Sequence, residues 1–216
     1  MPAVITTTIK NQLLSALVNK QYQHLMPHLE RVELSFGDVI YTTGRNIDHV
    51  YFPENSVISL LVTLENGATT EVGLVGREGM VGLTVFLGGA LTPERAIVQL
   101  AGTALRLKAS VLREEIQVGS SLQLLLLRYT RSFLALMSQS VVCSQHHSLD
   151  QRFARWLLMM LDYSDSDTLN LTHEMVAGMI GTRRAGVTVA ALALREKGLV
   201  SAARGRITIL DRARGS

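Results

Sequence analysis

The chain has 216 residues, 47% hydrophobic and 18% charged, which supplies enough apolar side chain for real cores and excludes a disordered composition. Its longest apolar runs, 122–127 and 81–91, are far shorter than the ~20 residues of a membrane-spanning helix, and residues 1–10 lack the pattern of an export signal, so a cytoplasmic location is expected. One cysteine, Cys143, excludes an internal disulfide and a clustered-thiolate metal centre; the formal charge of +3 hides an asymmetry, because eight basic residues face three acidic ones from Thr172 onward, +5, leaving −2 for the rest.

Residues 7–30 carry Leu13, Leu14, Leu17 and Leu25 in a broken helical pattern that Pro27 interrupts, which predicts a short helical entrance. Between Arg31 and Lys108, short alternating apolar runs punctuated by glycine or asparagine predict β-strands: Val32 and Leu34, Gly37 to Tyr41, Val50-Tyr51-Phe52, and 57–64. Asn66-Gly67 predicts a two-residue hairpin turn into 69–75, with positive φ at both positions. A further strand pair is expected at 96–100 and 104–107, joined through Gly102.

After Ser120 the period changes. Leu127, Leu134 and Val141 recur at sevenfold spacing, with Leu124, Arg131, Met137 and Ser144 between them, in a stretch free of Gly and Pro. This predicts a long helix suited to self-association, with packing on the chain's own sheet as the competing use of the same stripe. Leu149, Phe153, Trp156, Leu157 and Met160 form a second amphipathic helix, ended by the polar run Ser164-Asp165-Ser166-Asp167.

Residues 172–188 read as helix, tight turn, helix. Thr172 can cap the first helix, and Glu174 lies in its first turn, where the helix dipole favours negative charge. Met175, Val176, Met179 and Ile180 give an apolar stripe; Ala177 and Gly178 are small where a second helix must cross, and Gly181 suits a left-handed turn. In the second helix Val187, Ala190 and Leu194 face inward, while Arg184, Ala185, Thr188 and Val189 face out, as the base-reading end of a major-groove helix must. Gly198 stops that helix, and 201–210 looks like a small hairpin, a wing, with Arg204 and Arg206 at its tip for phosphate contacts.

The pattern Thr172, Gly181-Thr182-Arg183-Arg184, Val187-Thr188, Leu194, Gly198-Leu199-Val200 and Arg204-Gly205-Arg206-Ile207 resembles the winged helix of the Crp/Fnr (cyclic-AMP receptor and fumarate-nitrate regulator) family. Phe36-Gly37-Asp38-Val39-Ile40-Tyr41 with Gly44 and Val50-Tyr51-Phe52 is similar to that family's β-roll. The resemblance implies an α+β chain with a double-stranded β-helix (jelly-roll-like β-roll) sensor in 1–119, a dimerisation helix in 120–147 and a winged helix-turn-helix in 148–216. It also implies a homodimer on a near-palindromic duplex operator, controlled by a small effector, with RNA polymerase as a further partner for an activator. The DNA-binding residues it points to are Thr172, Thr182, Arg183, Arg184, Ala185, Thr188, Val189, Arg204 and Arg206; the effector-facing ones are Gly79, Gly82, Leu83, Thr84, Arg95 and Ala96.

The chain departs from the family in two places. Leu83 stands near the position of the glutamate that holds a cyclic nucleotide's ribose, and Ala96 follows Arg95 where a serine would donate to phosphate, so the family's usual cyclic-AMP contacts are largely absent and the effector is unidentified. Ala185 and Val189 replace polar base readers, which predicts apolar contact with thymine methyls and direct readout led by Arg184 and Thr188. His146-His147 diverge by ~100° on a helix and Pro27 separates His24 from His28, so no metal site is expected. No nucleophile elbow, P-loop or H-E-x-x-H motif is present, and an enzyme is not expected. The alternative reading is a small-molecule-binding β-roll whose C-terminal hairpin contacts protein.

Overall fold

A computed structural model describes residues 9–17, 19–89, 91–164, 166–203 and 205–211. The helical entrance is split into α1 (Gln12–Ser15), α2 (Asn19–Leu25) and a 3-10 turn, Met26–His28, in which Pro27 sits in the first turn, where a missing N–H costs little. Buried Asn11 anchors it: Oδ1 accepts from Leu14 N at 3.0 Å, and Nδ2 donates to Pro53 O at 2.9 Å and Gly79 O at 3.0 Å.

Seven strands follow: β1 (Glu30–Leu34), β2 (Val39–Tyr41), β3 (His49–Pro53), β4 (Val57–Thr63), β5 (Thr69–Val75), β6 (Arg95–Leu100) and β7 (Gly102–Lys108), with α3 (Leu83–Phe86) between β5 and β6 and α4 (Ala109–Glu115) after β7. They form two antiparallel sheets, ordered β1-β7-β3 and β2-β6-β4-β5, around one apolar cluster that includes Leu34, Tyr41, Phe52, Ile58, Val98 and Leu107. The result is the β-roll of an α+β chain.

Two local expectations are corrected. The Asn66-Gly67 hairpin is a three-residue loop: Leu64 N donates to Ala68 O at 2.8 Å and Gly67 N to Leu64 O at 2.9 Å, with Gly67 at φ 82°. That is the geometry of a turn followed by a glycine bulge, and Asn66 supports it by accepting from Ala68 N at 3.0 Å. Consecutive β6 and β7 do not pair with each other; β6 lies between β2 and β4, and β7 between β1 and β3, so the chain changes sheets at Ala101. Gly102 is required there for space, since a Cβ would lie 2.6 Å from Asn55 Oδ1 and 2.8 Å from Ser56 N. Asn55 Oδ1 accepts from Thr103 N at 2.7 Å and so replaces the turn bond the corner lacks.

The long helix α5 (Ser121–His146) starts where Ser120 Oγ accepts from Gln123 N and ends at extended His147. Leu122, Leu126 and Tyr129 bury its first half against the roll, while the heptad row and its neighbour, Leu124, Leu127, Leu134 and Val141, stay 50–58% exposed. After a two-residue break, α6 (Leu149–Tyr163) leads to β8 (Thr168–Asn170), α7 (His173–Met179), α8 (Arg184–Glu196), β9 (Val200–Ala203) and β10 (Arg206–Ile209), the last unit's sheet running β8-β10-β9. Phe153, Trp156, Met160, Val176, Val187 and Leu194 lead a second core, which also takes in Val57 and Leu74 from the roll. The start of β4 is apolar on both sides because Ile58 and Leu60 meet the roll core while Val57 meets the C-terminal unit. No helix among the described residues is long and apolar enough to cross a membrane.

Candidate nucleic-acid interface

Thr172 caps α7, its hydroxyl accepting from Met175 N at 3.2 Å, and Val176, Ala177 and Ile180 turn inward. The turn that follows carries Gly181 at φ 63°, and Thr182 N donates to Ala177 O at 2.9 Å, closing the corner. Arg152 on α6 donates to Ile180 O, so the corner is also tied to the helix beneath it. Gly178, expected at a close helix crossing, faces open space; the close crossing is at Gly186, where a Cβ would lie 2.8 Å from Leu149 Cδ2 on α6. Helices α6 and α8, not only α7 and α8, therefore approach tightly.

Arg183 is the extended residue before α8 and Arg184 its first residue. Arg183, Arg184 and Ala185 are exposed, Thr182 and Thr188 are half-buried, and Val189 is 66% exposed, whereas Val187, Ala190 and Leu194 are buried. The outward set and the inward set divide as the 100° helical step requires. Arg206 is exposed at the start of β10 next to Gly205 (φ 75°), and Arg204 lies outside the described residues. Between α8 and the wing runs an open groove of about 600 Å³ whose lining includes Thr172, His173, Arg184, Thr188, Arg195 and Arg206. The surface is thus basic and concave, which suits a polyanionic duplex. Arg195 was not among the sequence candidates, although its spacing of eleven from Arg184 returns it to nearly the same helical face.

The effector candidates lie elsewhere. Gly79 N donates to Gly76 O at 3.1 Å, and a Cβ on Gly79 would lie 2.5 Å from the Tyr129 hydroxyl oxygen. Gly82, at φ 96°, starts α3, and a Cβ there would meet Val50 at 3.0 Å. These two glycines leave room for neighbouring side chains. Leu83 and Thr84 are half-buried on α3, Arg95 is exposed, and Ala96 is fully buried opposite Leu60 and Tyr41. Among the described residues, no cluster of three or more His, Cys, Asp or Glu side chains is placed to hold a metal ion.

A further polar contact joins roll and C-terminal unit. Glu71 on β5 accepts from Trp156 Nε1 on α6 at 3.0 Å and from Ser59 Oγ at 2.5 Å, and burial pushes its carboxyl up to about 7 against the lowering effect of those two donors.

Comparison with known proteins decides what this arrangement is. A model of the cyclic nucleotide-binding domain matches residues 31–118, and a model of the Crp-like helix-turn-helix domain matches residues 151–214. The chain belongs to the Crp/Fnr family of transcription regulators. Solved structures share the fold. FixK2 from Bradyrhizobium japonicum aligns with TM-score 0.73 at 16% identity, covering 87% of this chain and 95% of that one. The c-di-GMP-responsive global regulator CLP of Xanthomonas campestris aligns with TM-score 0.70 at 12% identity, covering 90% and 100%. A CRP-family transcriptional regulator from Thermus thermophilus, TTHB099, gives 0.70 at 20% identity, covering 86% and 94%. Lysophospholipase NTE1 of Phaeosphaeria nodorum is 33% identical over 81 residues, 38% of this Crp/Fnr chain; the match spans only 5% of that much longer protein.

Proposed function

We propose that this Crp/Fnr regulator is a cytoplasmic homodimer that reads a near-palindromic duplex operator and acts by binding, not catalysis, under control of a small effector. The supporting observation is the exposed, basic N-terminal end of α8 beside the wing, on a helix whose opposite side is sealed into the second core. In this reading 1–119 senses, 120–147 dimerises and 148–216 binds DNA. Thr172, Thr182, Arg183, Arg184, Ala185, Thr188, Val189, Arg204 and Arg206 contact the duplex, with Arg195 added by its place in the groove. Arg184 and Thr188 read base edges, Ala185 and Val189 meet thymine methyls, and the wing arginines meet phosphate. The exposed apolar row on α5 is the surface on which two copies meet.

The effector remains assigned to the neighbourhood of Gly79, Gly82, Leu83, Thr84, Arg95 and Ala96. Exposed Arg95 would receive an anionic group there. RNA polymerase is a further partner in the activator case. Selection of bound duplexes from a random pool tests the reading: two related half-sites about 10 base pairs apart, centre to centre, are expected of a symmetric dimer. A single unrepeated site would refute the dimer, and no enrichment would refute DNA reading altogether.

A further inference from the structure

Thr188 sits one turn into α8 with its hydroxyl between two partners. Oγ1 lies 3.1 Å from the carbonyl oxygen of Arg184 and 2.9 Å from Nδ1 of His173, the first residue of α7. A hydroxyl has a single hydrogen, a carbonyl oxygen can only accept, and an imidazole nitrogen either donates or accepts according to where its proton sits. One assignment makes both contacts hydrogen bonds: Thr188 donates to Arg184 O, and His173 Nδ1–H donates to Thr188 Oγ1. The reverse leaves two oxygens 3.1 Å apart with no hydrogen between them. The assignment also holds when the ring takes a second proton, because Nδ1 is a donor in both forms.

We propose that His173 is a positioning residue for base readout: it fixes the hydrogen-bond polarity of Thr188, so that α8 offers DNA an acceptor and a methyl at this position and no donor. The inference rests on the DNA-binding reading above. A side chain that is acceptor-only in the major groove pairs with the amino groups of cytosine or adenine and is mismatched to the oxygen acceptors of guanine and thymine. A threonine free to rotate would satisfy either class. The neighbouring Arg184, which only donates, then asks for the opposite base pattern, and the two positions together read a polarity that neither carries alone.

Two measurements on the full chain test this. Nitrogen-15 shifts of labelled histidine in the DNA-free protein are expected to show the neutral His173 ring with its hydrogen on Nδ1; a hydrogen on Nε2 with a bare Nδ1 overturns the assignment. Duplex selection is then run with the wild type and with His173→Asn, His173→Phe and Thr188→Val. His173→Asn, whose amide nitrogen can take the place of Nδ1, is expected to keep the wild-type preference. His173→Phe and Thr188→Val should each lose about fivefold discrimination at one base pair per half-site and leave the other positions unchanged. Full preference retained in His173→Phe, or an equal loss across every duplex, overturns the proposal, the latter because it marks a phosphate contact. A wild type that enriches no sequence ends the DNA reading itself, a failure separable from the first because the nitrogen shifts are read without DNA.

Discussion

At the scale of single residues, Arg184 and Glu71 carry the most distinct consequences. Arg184 is exposed at the first position of α8, where an arginine can reach a base edge with two donors. Replacing it with Ala is expected to cost about 1 to 3 kcal/mol at one base pair of the selected operator, measured by competition with single-base variants; a loss shared by all duplexes would make it a phosphate contact. Glu71 behaves differently because its carboxylate, half-buried on β5 beside Ser59 and Trp156, is pushed up by desolvation to about 7, against 4.5 for the free side chain. Between those values the folded chain binds a proton that the unfolded chain has released, so Glu71 favours the folded state at low pH. That contribution declines as pH rises from about 4.5 to about 7 and is level beyond. Glu71→Gln copies the protonated form and keeps the Trp156 bond. Urea melts of wild type and variant across this range are expected to converge at the acid end and to favour the variant at pH 8; parallel curves would contradict it.

At the scale of elements, helices and roll meet through a seam that no periodicity announces. Gly73, Gly76 and Gly79, three residues apart, each leave room for an aromatic ring: a Cβ would lie 2.6 Å from Phe133, 2.3 Å from Tyr163 and 2.5 Å from Tyr129 respectively. Gly76→Ala should destabilise the fold by about 1 to 3 kcal/mol, because the ring atoms it meets reach back to Cγ and cannot swing aside cheaply. In a Tyr163→Ala background the same change should cost much less, and strict additivity of the two would exclude the contact. The sequence shows where such elements are more readily than how they interlock. The strands, the long helix, the cap at Thr172 and the left-handed Gly181 were legible because each depends on a few adjacent residues. Three glycines in a row of threes look like loop chemistry until the rings of Phe133, Tyr129 and Tyr163, some fifty residues or more away, are in place. Separation along the chain likewise hid the sheet change before Gly102, the tight crossing at Gly186 and the partnership of Glu71 with Trp156. On α8 the inward and outward faces could be read from the 100° step alone, but the hydrogen-bond state of Thr188 depends on a side chain from another helix.

At the scale of the whole molecule, the heptad row of α5 points away from the chain that carries it, with Leu127 and Leu134 half-exposed on a helix that buries Leu122, Leu126 and Tyr129 of its first half on the roll. Hydrophobic burial between two copies would cover it. Leu127→Glu with Leu134→Glu is expected to convert a dimer to a monomer in light scattering while leaving each copy folded, and to abolish preference for paired half-sites. A monomeric wild type, or a doubly substituted chain that remains dimeric, would place the interface elsewhere. Strands β4 and β5 contribute to both cores, so the roll and the C-terminal unit are packed directly against each other. The most direct test of the central claim, that the surface formed by α8 and the wing holds duplex DNA, is the salt dependence of binding to the selected duplex between about 50 and 200 mM. A straight fall of log affinity against log salt is expected, its slope smaller by about 1 per protomer when Arg206 is replaced by Ala. Binding that ignores salt, or a slope unchanged by that replacement, would contradict it.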